Sequence, residues 1–231
     1  MTETPDKEPR GLDSRLATFT HPRSPVAEAY RALRTNIQFS SLDHPLRSFL
    51  ITSTEAREGK STTAANLAIT FAEAGNSVIL VDADLRRPSQ HRLFGLPNEQ
   101  GLTTMLLQEG GELPVQYTAI PNLRLLSSGP LPPNPSEMLG FRRVDEAIAR
   151  LKEAADMVIF DTPPIIAVTD AAVLSSKVDG VLLVFSAGRT KRDQARRAQA
   201  ILEKVNANLV GVVLNNAKLD RAAYNYYAEP D

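Results

Sequence analysis

The chain has 231 residues, 42% of them hydrophobic and 23% charged. That globular profile excludes disordered, collagenous and coiled-coil classes and leaves enough apolar side chain for one sizeable core. Its 26 Lys and Arg against 27 Asp and Glu give a formal net charge of -1, so no global field draws it to nucleic acid or an anionic membrane, and any charge-based binding is local. Cysteine is absent, which removes disulfides, thiol nucleophiles, iron–sulfur clusters and Cys-type zinc sites and is compatible with a reducing compartment. No apolar run approaches the roughly 18 residues that span a bilayer, and the first twenty residues are unlike a secretory signal.

Residues 1–23 mix Pro, Gly and charge with few large apolar side chains, which reads as a mobile arm or a surface strap outside the core. Ser24-Pro25 then writes a helix start, a capping hydroxyl followed by a residue preorganised for the first turn. Val26, Tyr30, Leu33 and Ile37 follow as one apolar stripe. From Ser48 onward short apolar runs alternate with helical patterns. Strands are expected at 49–51, 78–81, 123–126, 157–160, 181–185 and 209–214, and helices at 60–74, 136–154, 170–177 and 190–206. Gly75-Asn76 ends the first of these helices. The Pro-rich stretch 130–135 reads as a stiff loop into the helix capped by Ser136. Alternation of this kind predicts a single α/β domain, a mostly parallel sheet with helices on both faces and ligands at the carboxyl ends of the strands.

Three segments carry chemistry. After the first strand comes Ser53-Thr54-Glu55-Ala56-Arg57-Glu58-Gly59-Lys60-Ser61-Thr62-Thr63, running straight into a helix. A nucleotide phosphate cradle needs that placement: loop and first-turn amides aim at the phosphates, Lys60 bridges terminal phosphate oxygens and the Ser61 hydroxyl completes the shell of a Mg²⁺ ion. The first glycine of the G-x-x-x-x-G-K-[ST] pattern is replaced here by Thr54. The bulk of Arg57 and Glu58 leads us to expect that the loop avoids a left-handed backbone there. The other two segments end strands in carboxylates: Asp82-Ala83-Asp84-Leu85-Arg86-Arg87-Pro88 and Asp161-Thr162-Pro163-Pro164. In a parallel sheet these ends share an edge with the loop, so Asp82, Asp84 and Asp161 should converge on Lys60 and Ser61. Three acids would repel a phosphate unless a hard cation intervenes, which predicts Mg-bound nucleoside triphosphate. Singly, each Asp reads equally as a cap or turn former.

Together with Glu28-Ala29-Tyr30-Arg31-Ala32-Leu33-Arg34, these segments resemble P-loop ATPases carrying a second acidic motif, and more narrowly the bacterial tyrosine kinases of capsule and exopolysaccharide systems, from about Ser24 to the C-terminus. The resemblance implies several assignments. Glu58, Gly59, Lys60, Ser61 and Thr62 bind ATP. Ser61, Asp84 and Asp161 support Mg²⁺, and Asp82 lies nearest the tyrosine hydroxyl as a base. Tyr224, Tyr226 and Tyr227, in a short polar tail at 220–231, are the autophosphorylation sites, offered to a neighbouring subunit. Helix 24–40 joins subunits through Glu28, Arg31 and Arg34, although the bland reading of those three is a solvated flank. Family loops usually carry Pro-Gly where this chain has Ala56-Arg57. ATP rests on the resemblance and on Asn215 and Asn216, either adenine-facing amides or a satisfied turn.

The same resemblance implies a cytoplasmic, self-associating kinase, recruited to the inner face of the membrane by a chain-length-regulating membrane protein, without nucleic acid and without inserting into the bilayer itself. Partitioning and division-site relatives carry a lysine where this chain has Glu55. Two readings compete with the kinase: an ATP-driven switch that binds partners without phosphorylating protein, and a ring protein whose phosphate loop has decayed.

Overall fold

A computed structural model describes residues 12–40, 45–108, 110–140 and 142–218. Its elements in chain order begin with α1 (Ala17–Thr20), α2 (Pro25–Phe39), β1 (Ser48–Ser53), α3 (Lys60–Glu73), β2 (Val78–Asp82), α4 (Gln90–Leu93), α5 (Leu102–Leu107) and β3 (Gln116–Tyr117). There follow β4 (Leu123–Leu126), α6 (Pro135–Gly140), α7 (Arg142–Ala154), β5 (Met157–Asp161), α8 (Asp170–Ser175), β6 (Gly180–Ser186), α9 (Arg192–Lys204) and β7 (Leu209–Asn215). The strands form one sheet in the order β3-β4-β2-β5-β1-β6-β7. All pairings are parallel except the two-residue β3 against β4.

Strands buried on both faces need apolar side chains at every position, and β1, β2 and β5 are buried throughout. Alternate residues feed two cores. Leu50, Ile79, Val81, Val158 and Phe160 pack against the side formed by α5 to α9. Phe49, Ile51, Val78, Leu80 and Ile159 pack against the side formed by α1 to α4. The two-residue period of a strand thus sorts one apolar run into two layers.

The local signals act as their chemistry requires. Ser24 Oγ accepts from the Ala27 amide at 3.2 Å with Pro25 in the first turn. Gly75 adopts φ +90° and the Asn76 amide reaches back to the Phe71 carbonyl, closing α3 in a Schellman turn. The helix expected over 136–154 is present as α6 and α7 on either side of residue 141, which lies outside the described residues. Two expectations are corrected. Ser136 lies inside α6, and its hydroxyl bonds the Asp170 carboxylate instead of capping.

The second correction concerns residues 12–23, which contribute to the core. Leu16 and Thr18 are fully buried. The Asn66 carboxamide of α3 accepts from both the amide and the hydroxyl of Thr18, at 2.9 Å each, and donates to the Arg15 carbonyl at 2.9 Å. Residues 1–11 and 219–231, the latter holding Tyr224, Tyr226 and Tyr227, lie outside the described residues. Among the described residues no helix is long and apolar enough to cross a membrane.

Candidate nucleotide and phosphoryl-transfer site

The register of the central strands decides the site. β1 lies between β5 and β6, and β5 lies between β1 and β2. Asp82 at the end of β2 is directly opposite Asp161 at the end of β5, and Asp161 is opposite Ile51, just ahead of the loop that follows β1. The three chemical segments therefore meet at one edge of the sheet, where its strands end.

Lys60 opens α3 and its ammonium turns into this edge. Its Nζ donates to Asp84 Oδ2 at 2.8 Å, to Ser61 Oγ at 3.0 Å and to Asp161 Oδ1 at 3.4 Å, with 8% of the residue exposed. Asp82 Oδ2 accepts the amides of Ser89 and Gln90 at 2.9 Å each, and its Oδ1 accepts the Asp84 amide at 3.3 Å. The Gln90 carboxamide donates to Asp161 Oδ2 at 2.8 Å and to the Ser61 carbonyl at 3.0 Å. The pattern of aspartates after strands predicted the convergence, whereas nothing in the sequence singled out Gln90.

Charge is unbalanced. Burial and the neighbouring Asp161 push Asp82 up to about 7, against the pull of the Gln90 and Ser89 amides. Burial also raises Asp161, relieved in part by Lys60 and the Ser61 hydroxyl. Burial alone would lower Lys60, but Asp161 and Asp84 outweigh it and hold the ammonium above its ordinary value. One ammonium serves three aspartates, so the site has room for further positive charge. Its donors are hard oxygens, as a Mg-type cation prefers. Among the described residues no three acidic or histidine side chains form a metal cage by themselves. The chemistry therefore fits a cation shared between two carboxylates at most, the Ser61 hydroxyl and the phosphates of a nucleotide.

The loop supplies the anion side. Gly59 takes φ +95°, and a Cβ there would stand 1.8 Å from Asn215 Nδ2, so only glycine fits. The amides of Arg57 to Thr62 meet no protein acceptor among the described residues, leaving six successive donors beside the Lys60 ammonium. Such a nest is built for phosphate oxygens.

Three loop expectations change. Arg57 does adopt the left-handed region, with φ +65°, a conformation that costs about 1–2 kcal/mol in a non-glycine residue. Glu58, expected to meet the nucleotide, keeps only its amide for that task, and its carboxylate turns into the loop: it is fully buried and accepts the Thr54 amide and hydroxyl at 2.8 Å, the Glu55 amide at 2.9 Å and the Thr190 hydroxyl. The Asn215 amide donates to the Glu58 carbonyl at 3.0 Å, the satisfied-turn alternative for that residue.

On α2 the arginines are engaged at home. Arg31 bonds the Pro22 carbonyl at 2.8 Å and approaches Glu28 and Glu73 at 3.4 and 3.6 Å, while Arg34 donates to the Thr70 carbonyl at 2.8 Å.

Comparison with known proteins adds to this geometry. A family profile described as an NUBPL iron-transfer P-loop NTPase matches residues 47–224; the absence of cysteine confines that likeness to the nucleotide-binding framework. The chain is similar to tyrosine-protein kinase YwqD of Bacillus subtilis, 45% identical over 95% of this chain and 94% of that protein. Among solved structures it resembles the chimerical protein CapA2B2, with a TM-score of 0.85, 38% identity and coverage of 90% and 92% of the two chains. It also resembles the kinase domain of Escherichia coli tyrosine kinase ETK, with a TM-score of 0.83, 30% identity and coverage of 94% and 85%.

Proposed function

The chain belongs to the bacterial tyrosine-protein kinases, and from that premise we propose that it uses Mg-bound ATP to phosphorylate its own tail at Tyr224, Tyr226 and Tyr227, each tail entering the site of a neighbouring copy. The observation that carries the proposal is the meeting of Lys60, Ser61, Asp84 and Asp161 beside six loop amides that meet no protein acceptor among the described residues. Phosphoryl transfer has a loose transition state, so alignment and charge neutralisation do most of the work. The loop amides and Lys60 would hold the phosphates, and Ser61, Asp84 and Asp161 would hold the cation. Bound there, Mg²⁺ would neutralise phosphate charge and polarise the transferred group. Asp82 accepts the tyrosine proton, a role supported by its place at the site and by a proton affinity near neutral pH.

Phosphate on several tail tyrosines adds roughly -1.5 to -2 charge each, which the acidic site repels, so the modified tail leaves. Glu28, Arg31 and Arg34 would face a neighbour in a ring, a membrane-embedded regulator would hold the ring at the cytoplasmic face, and the output would be control of capsule or exopolysaccharide assembly.

The test is incubation with ATP and MgCl2 followed by mass spectrometry of the tail. Phosphate is expected on Tyr224, Tyr226 or Tyr227, lost at least a hundredfold in Lys60→Met and Asp82→Asn while circular dichroism stays unchanged. The second reading, a nucleotide-driven switch without protein phosphorylation, draws on the full burial of Asp82 behind the Ser89 and Gln90 amides. ATP hydrolysis with no phosphotyrosine would establish it in place of the kinase reading.

A further inference from the structure

The phosphate loop lacks its first glycine and carries Arg57 in a strained conformation, yet its amides form an orderly row. What holds them comes from elsewhere in the chain. Arg189, in the turn between β6 and α9, extends its guanidinium to two consecutive loop carbonyls, Ala56 at 3.3 Å and Arg57 at 3.4 Å. Asn215, at the end of β7, takes the next carbonyl, that of Glu58. A trans peptide is planar, and its N–H points opposite to its C=O. Three successive carbonyls drawn outward to Arg189 and Asn215 therefore turn the amides of Arg57, Glu58 and Gly59 the other way, off the side those two donors occupy.

The turn and the start of α9 each reach the loop once more. Thr190 donates its hydroxyl to the buried Glu58 carboxylate and accepts the Ser186 amide at 2.8 Å, and Gln194 donates to the Glu55 side chain. Glu58 in turn occupies the amides of Thr54 and Glu55, at the start of the loop, upstream of the unpaired row. Loop amides are thus divided between an internal carboxylate and the open nest.

We infer that Arg189, Thr190 and Asn215 are positioning residues for the nucleotide: they lock the peptide planes of the phosphate loop so that its amides face the phosphates before ATP arrives, replacing the conformational control that glycine and proline would otherwise give. Preorganisation of this kind acts on affinity, because an unlocked loop must be ordered at the moment of binding. The inference rests on the loop being the seat of the nucleotide.

The experiment titrates the full chain with ATP in MgCl2 by calorimetry, alongside thermal unfolding and steady-state kinetics. Arg189 is exposed, so Arg189→Ala should fold with a melting temperature close to that of the wild type. It is expected to weaken ATP binding five- to tenfold and raise the KM for ATP by a similar factor, with kcat changed less than twofold. Arg189→Lys keeps the charge but loses the two-pronged donor, and should recover less than half of the lost affinity. Thr190→Val changes no charge and should weaken binding at least threefold, while Thr190→Ser stays near the wild type. Wild-type affinity in Arg189→Ala or Thr190→Val overturns the inference, as does full recovery in Arg189→Lys, which would mean that charge alone acts. A wild-type chain that binds no ATP would instead sink the reading of the loop as a nucleotide site.

Discussion

Asp82 and Asp161 both hold their protons more tightly in the folded chain, and for Asp82 the consequence can be worked out. Unfolded, it ionises near 3.8; folded, burial and Asp161 raise it to about 7. Between those values the folded state holds a proton that the unfolded state has released, so stability falls as pH rises through that window. His91 works in the opposite sense, since burial and Arg92 hold it below its ordinary 6.5 and folding is favoured as it loses its proton. The comparison is therefore made against Asp82→Asn, which leaves His91 in place. At 1.36 kcal/mol per pKa unit over the roughly two units between pH 5 and the folded value, Asp82 should cost on the order of 2 kcal/mol between pH 5 and pH 8. For a chain of this length each kcal/mol moves the melting temperature by about 2–4 °C. The nucleotide-free protein should melt several degrees higher at pH 5 than at pH 8, and Asp82→Asn should flatten the difference; an unchanged slope in the variant would show that other groups cause it.

Among the elements, the segment ahead of α2 is anchored by a buried side chain. Leu16 is fully buried in the core that holds Phe49 and Phe71. Leu16→Ala should destabilise the domain by about 2–5 kcal/mol, measured by urea unfolding; a cost under about 0.5 kcal/mol would mean that the segment only rests on the surface. Its role was hidden in the sequence because the anchor is Asn66, a polar residue in the interior of α3 whose partners lie 48 and 51 residues away. The interior strands were legible for the opposite reason. Val78-Ile79-Leu80-Val81 and Met157-Val158-Ile159-Phe160 are apolar at every position, and only a strand covered on both faces explains that. β7 reads the same way but lies at the sheet edge, with Val212 and Leu214 more than half exposed, since composition cannot order strands. The short α1, α4 and α5 carry too few turns to show a period. At the site the strand-end aspartates were legible because strand direction fixes where they gather. The orientation of Glu58 and the left-handed Arg57 were not, because loop conformation is set by Arg189, Thr190 and Asn215, distant in the chain.

At the scale of the whole molecule, α2 and the site face different tasks. Arg31 and Arg34 already tie α2 to α3, so any neighbour must share or displace those contacts. Transfer between copies can be checked by mixing a Lys60→Met chain that keeps its tail with an active chain ending at Lys218. Phosphotyrosine should appear on the inactive, tailed chain, in amounts rising with total protein; none would confine the reaction to a single copy. One feature of the sheet bears on how such an enzyme idles. Asp82 and Asp161 stand side by side on adjacent interior strands, and they cannot drift apart without unzipping the fold. Their discomfort is thus written in when the chain folds, and by linkage any cargo that relieves it is gripped harder and steadies the protein in return. A divalent cation arriving with its nucleotide should therefore raise the melting temperature, by an amount that grows with pH as the two carboxyl groups shed their protons.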